Sequence, residues 1–225
     1  MARGGGIATA RAGADSTAFQ AGVLSLVAGY ADTLGYLSFG AFAGLMTGNT
    51  VLLGIAQAQR EPLHALRNLG IILAFLAGVA ISALLRRFGC RLPLLLTVEA
   101  VALVAAAFLT AAVAAPTLAF GMGIQNAAAT RFAGVTANTV FLTGDLQKLI
   151  QAIVGRVASP HPTDDGSGVL AVIYACYLGG VLLGAAAYLA IGRPLLVAVL
   201  FLPVALLPLY IRRATNTVAD RRGSG

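Results

Sequence analysis

The chain carries one short polar phrase twice, inside apolar sequence: Met46-Thr47-Gly48-Asn49-Thr50 and Leu142-Thr143-Gly144-Asp145. A hydroxyl, a glycine and a short carboxamide or carboxylate are costly in hydrocarbon unless something uses them. If a helix breaks at each phrase, the glycine permits a turn and close backbone approach. A half-helix beginning there aims its N–H groups at an anion or a polar oxygen. Asn49 is neutral and Asp145 acidic, so the copies predict two unlike positions, one for substrate and one for a coupling ion. The plainer reading makes Asn49 and Asp145 helix N-caps with no ligand.

Few other groups could join such a site. Of eight acidic residues, Asp15, Glu61, Asp164, Asp165 and Asp220 fall in polar segments, leaving Asp32, Glu99 and Asp145 in or beside apolar sequence. Asp32 reads as a proton or cation site, as a ligand for a substrate amine, or as a structural carboxylate. In the last role it would pair with Arg131 or cap a half-helix. Gln125 and Asn126 stand at the position matching Ala31 and Asp32, and offer donors and acceptors without charge. Their plain alternative is hydrogen bonding between helices. Glu99, read as one to two turns into its span, is expected to snorkel toward the interface.

The elements that position these groups follow from composition. The chain has 225 residues, 59% hydrophobic and only 10% charged, with a mean hydropathy of +0.88. Soluble domains carry roughly 25% charged residues. Apolar runs at 69–85, 92–115, 169–191 and 195–211 approach the ~20 residues a helical span needs. Nothing alternates as a membrane barrel would. The net charge of +7 is no nucleic-acid footprint, because the basic residues sit at the ends of apolar runs. Cys90 and Cys176 have no partner at metal-ligand spacing, and no catalytic motif is present, so no metal, cofactor or enzyme activity is expected.

The halves align beyond the phrase. Gly29-Tyr30-Ala31-Asp32 matches Gly123-Ile124-Gln125-Asn126, Phe75-Leu76-Ala77-Gly78-Val79 matches Tyr177-Leu178-Gly179-Gly180-Val181, and Arg91 matches Arg193. The shared order predicts an internal duplication. Residues 1–17 read as a disordered tail, 18–114 as the first membrane repeat, 115–212 as the second with a polar loop at 159–168, and 213–225 as a basic tail. Each repeat opens with a long interrupted region, 19–58 or 117–154. About 40 helical residues would reach about 60 Å, twice the hydrocarbon core, so one straight helix is excluded. One crossing per region gives six spans, with both termini and most arginines inside. Two crossings give eight spans and move Arg86, Arg87 and Arg91 outside. The expected fold is therefore all-α and polytopic: six transmembrane helices in two inverted three-span repeats, each with an interrupted first helix. Glycines at Gly40, Gly44 and Gly48, and at Gly180 and Gly184, read as stripes for close helix packing.

Gly29-Tyr30-Ala31-Asp32, the Gly- and Tyr-containing stretch after it and the first polar phrase resemble the signature of the YoaK family, also called the domain-of-unknown-function 1275 family. Gly123-Ile124-Gln125-Asn126 and Leu142-Thr143-Gly144-Asp145 are similar to that family's second block. The resemblance covers roughly residues 23–211 and implies a six-span bacterial inner-membrane protein of unestablished function. With the polar groups, the expectation is a small-molecule secondary transporter whose substrate or ion binds near Asp32, Thr47, Gly48, Asn49, Gln125, Asn126, Thr143, Gly144 and Asp145. The alternatives are a non-transporting assembly subunit or a channel. The expected partners are the lipid bilayer and a small polar solute; six spans are few for a complete transporter, so a homodimer is one expected assembly.

Overall fold

The computed structural model describes residues 4–223 except 133, 141 and 159–165, with side chains from 18 to 211 apart from Arg131. The described chain is helical throughout except for one small hairpin. The elements are α1 (Gly4–Phe39), α2 (Met46–Ala58), α3 (Pro62–Arg87), α4 (Leu92–Ala106), α5 (Ala111–Ala128), β1 (Arg131–Phe132), β2 (Val135–Thr136), α6 (Leu142–Ala158), α7 (Ser167–Ala190) and α8 (Leu195–Gly223). The two strands pair antiparallel, Arg131 opposite Thr136.

Both expected interruptions are present. Helix α1 stops at Phe39, where Gly40 turns with φ +65°, and α2 restarts at Met46. Helix α5 stops at Ala128, and α6 restarts at Leu142 after the hairpin. The boundaries differ elsewhere. The apolar run 92–115 is not one span, since α4 ends at Ala106 and α5 begins at Ala111. The turn between them, Ala107-Phe108-Leu109-Thr110, holds no glycine, proline or charge, so nothing in its composition marks it. At the termini, α1 begins at Gly4 and α8 runs to Gly223, so helix continues into the segments set apart as tails. Most of the polar loop 159–168 lies outside the described residues.

Packing follows a regular scheme. Helix α1 lies along α7 as α5 lies along α3; α4 packs on α5 as α8 packs on α1; α2 leans on α3 as α6 leans on α7. Two crossings are made by glycines. A Cβ at Gly29 would overlap the Tyr177 carbonyl oxygen, and one at Gly180 would overlap that of Leu26. In the other pair, a Cβ at Gly123 would overlap the Phe75 oxygen and one at Gly78 that of Phe120. Gly180 and Gly184 thus serve packing against α1 within the chain. Gly40, Gly44 and Gly48 do not form a helical stripe, because the first two lie in the break.

The outside of the bundle is apolar. Leu63 is 81% exposed and Leu189 86%, while the interior holds Asp32, Asn49, Glu99, Gln125 and Asp145. That inversion of the soluble pattern is what a lipid environment asks for. Helices α3 and α7 are long and apolar enough to cross a membrane; α4 and Leu195–Ile211 are shorter apolar helices.

Candidate functional site

The first break folds back on the helix it follows. Asp32 stands two turns before the end of α1 and is 3% exposed. Its Oδ1 accepts the N–H of Gly44 at 2.6 Å and that of Leu45 at 3.1 Å. Its Oδ2 accepts the Tyr177 hydroxyl from α7 at 2.9 Å. One carboxylate therefore joins α1, the break and α7. Two N–H groups of the break just before α2 are spent on it, which satisfies donors that hydrocarbon would leave bare. The Arg131 side chain, expected as an ion-pair partner, lies outside the described residues.

Asn49 closes the same loop from the other side. Its Oδ1 accepts the Phe42 N–H at 2.9 Å and its Nδ2 donates to the Phe42 carbonyl at 2.8 Å. Phe42 also stacks on Tyr36, with ring centroids 4.9 Å apart. This two-point clasp uses both ends of the carboxamide, so Asn49→Ala should cost about 1–3 kcal/mol through the buried groups it strands. Asn49→Asp keeps the acceptor but meets the Phe42 carbonyl with a second oxygen, and should lose at least as much. Thermal unfolding of both variants in detergent checks this; equal melting temperatures for wild type and Asn49→Ala would refute the clasp.

The second break repeats the device with different atoms. Asp145 is 4% exposed, and its Oδ2 accepts the N–H of Asn138 at 2.5 Å. In both breaks the residue after Thr-Gly therefore reaches back seven positions to a loop N–H. Asp145 Oδ1 pairs with Lys148 Nζ at 2.8 Å, and Lys148 also donates to the Thr136 carbonyl at 3.2 Å. The charge that distinguished Asp145 from Asn49 is thus met by a cation one turn along the same helix. Thr47, Thr143 and Gly144 are exposed, and Gly48 is half-buried against the Phe42 ring. Of the polar residues in the two phrases, only Asn49 and Asp145 are buried.

The breaks meet. A Cβ at Gly44 would overlap Val140 of the second break and stand 3.6 Å from Asp32 Oδ1. Gln125, 0% exposed on α5, donates through Nε2 to the Leu24 carbonyl of α1 at 3.0 Å and to Thr139 Oγ1 at 3.2 Å. Its Oε1 and the Oδ1 of Asn126 are buried with no described bonding partner. Asp32, Tyr177, Gln125, Thr139 and Asn126 thus form a polar seam through an apolar interior, with open bonding capacity on the Gln125–Asn126 side. Clefts of about 210 Å³ and 160 Å³ lie elsewhere, between α4 and α8 and at the α4–α5 and α7–α8 turns.

Sequence reasoning missed Tyr177 and Thr139. Tyr177 had a readable signal, because it aligns with Phe75 and differs from it by one hydroxyl. Thr139 had none. Glu99 lies about two turns into α4, as expected, but it is 0% exposed at the midpoint of that short helix and does not snorkel outward. Cys90 and Cys176 are free. Among the described residues, no group of three His, Cys, Asp or Glu side chains is placed to share a metal ion.

The family described as Protein of unknown function (DUF1275) matches residues 20–208. The chain is similar to the UPF0700 transmembrane protein YoaK of Bacillus subtilis (strain 168), 32% identical over 150 residues that cover 60% of this chain and 66% of that protein. No solved structure matches.

Proposed function

The chain belongs to the DUF1275 family of proteins, and on that footing we propose that this integral membrane protein is a secondary transporter for a small polar solute in the bacterial inner membrane. The observation that carries the reading is the meeting of two interrupted helices at their breaks, with buried polar groups from both halves around the junction. Discontinuous helices that meet between repeats are how many transporters build a midplane site.

The proposed topology has six spans, α1, α3, α4, α5, α7 and α8, with α2 and α6 as half-helices that do not cross. What supports single crossings is where α3 and α7 begin. Arg67, in the second turn of α3, has its guanidinium beside Gly40 at the end of α1. Gly166, just before α7, sits against Val135, just past the end of α5. Each long helix and the span after its half-helix therefore share an end. Three crossings per half make the repeats inverted, and the matched packing of α1–α7 with α5–α3 supports a duplication. The positive-inside rule then places both termini in the cytoplasm, with Arg86, Arg87 and Arg91.

In this reading the solute binds where Gln125 Oε1 and Asn126 Oδ1 lack partners, and access alternates as one break withdraws from the other. Asp32 accepts two hydrogen bonds from the first break and one from Tyr177, so protonating it or offering it a cation would loosen that break. No catalytic step is part of the proposal.

A thermal-shift screen of purified protein against small metabolites tests it. A solute at ~100 Kd stabilises by about 2.7 kcal/mol, and the shift should vanish in Gln125→Ala and survive in Lys148→Gln. Flux of that solute into proteoliposomes must follow. A non-transporting assembly subunit is the second reading, favoured by the full internal use of Asn49. It replaces the first if no solute shifts the protein, no gradient drives flux, and a stable hetero-complex purifies.

A further inference from the structure

Glu99 stands apart from the seam. It is the middle residue of α4, with about 10 Å of helix on either side. A glutamate side chain is too short to snorkel that far. It is 0% exposed, and no described residue bonds either carboxyl oxygen. Helix α4 packs against α5 and α8. On the α5 side, Gly121 brings its backbone close, so that a Cβ there would lie 3.6 Å from the Glu99 carbonyl oxygen. On the α8 side runs the cleft of about 210 Å³, lined by Leu96, Thr97 and Ala100 and by Val199, Leu202 and Pro203.

Among the described residues, no cation answers this carboxyl. Helix α5 carries no ionisable residue, and α4 carries none besides Glu99. Tyr210, which lines the cleft, is the only titratable group among the described side chains of α8. Arg86, at the end of α3, donates to the Ala128 carbonyl instead. A bare carboxylate in such a place costs several kcal/mol or more, so the form that fits is the neutral acid. The cleft comes up to Ala100, the residue next to Glu99 in α4. Pro203 has no N–H, which leaves the Val199 carbonyl at the cleft without its helical donor and free to accept from an acid proton or a water.

We propose that Glu99 is a proton-binding site in the middle of the membrane, reached through the α4–α8 cleft and separate from the Asp32 seam. It holds a proton as a neutral carboxylic acid and exchanges it with the aqueous phase. The proposal stands on α4 and its neighbours and does not require that the protein transport anything.

Infrared spectroscopy of the full-length protein in lipid nanodiscs tests it. The wild type should show the carbonyl stretch of a protonated carboxyl. That band should be lost in Glu99→Gln, persist in Asp32→Asn, and shift when the buffer is changed to deuterium oxide. A Glu99→Gln spectrum that keeps the whole band overturns the proposal, because Glu99 is then ionised. A band that never shifts in deuterium oxide also overturns it, because the acid is then sealed and structural.

A second measurement needs no variant. Dicyclohexylcarbodiimide, a lipid-soluble reagent for protonated carboxyls, should modify Glu99. The acid proton passes to a reagent nitrogen as the carboxylate oxygen adds to the central carbon, and acyl transfer to nitrogen leaves an adduct with the reagent's full mass. Peptide mapping should place that mass on Glu99, less at alkaline pH. Labelling absent from Glu99 at every pH would refute access through the cleft.

Discussion

Asp32→Ala is expected to open the first break and lower stability by about 3–5 kcal/mol, because three buried donors lose their acceptor together. The substitution strands the N–H groups of Gly44 and Leu45 and the hydroxyl of Tyr177 at once. Each unpaired buried donor costs about 1–3 kcal/mol, and three in one network do not simply add. Asp32→Asn should lose less, about 1–2 kcal/mol, because its remaining oxygen still accepts from the break and the Tyr177 hydroxyl turns to accept from the amide. Tyr177→Phe removes a single donor and should fall between wild type and Asp32→Ala. The order is read from unfolding midpoints of the purified proteins in mild detergent titrated with a denaturing one. If Asp32→Ala unfolds with the wild type, the carboxylate does not hold the break.

Alanine at the glycine crossings should be the other large loss. At Gly29, Gly78, Gly123 and Gly180, the added Cβ meets a backbone oxygen of the facing helix. Side chains turn away from a clash, but a helix backbone moves only as a whole, so α1–α7 or α3–α5 must separate. Overpacking of this kind costs about 1–3 kcal/mol, and the upper end is expected where two backbones are forced apart. Gly54 and Gly155 are the controls, since both lie within helices and an added Cβ meets nothing within 4 Å. Alanine there removes a poor helix former and should be neutral or stabilising by about 0.5–1 kcal/mol. The same denaturing titration applies, with gel filtration to confirm monodisperse protein. Crossing variants as stable as the Gly54→Ala control would mean the helices do not approach as closely as described.

These glycines show what was legible. Gly29 with Gly123 and Gly78 with Gly180 were aligned as repeat positions, and the structure gives all four the same task. The stripe at Gly40, Gly44 and Gly48 had the same spacing and a different fate, because spacing has helical meaning only if the helix is unbroken. Apolar composition and helix length forced both interruptions, since each depends on residues near in sequence. The turn at 107–110 left no mark, and that silence made 92–115 read as one run and hid that Glu99 is the midpoint of a short helix.

The sequence by itself determined the membrane class, the helical content and the two broken helices, because hydrophobicity and helix rise are local properties summed along the chain. It also named Asp32, Asn49, Gln125, Asn126 and Asp145 as groups that hydrocarbon would not leave unused. Only the tertiary structure decided what uses them. Asn49 bonds Phe42, Asp145 bonds Asn138 and Lys148, and Asp32 bonds a break and a tyrosine far along the chain. A hydrogen bond needs donor and acceptor within about 3 Å and aligned, and that condition is set by how α1, α7 and the two breaks come together. Glu99 is the clearest case: its sequence neighbours are ordinary membrane residues, and only the packing of α5 and α8 around it shows a carboxyl with no partner.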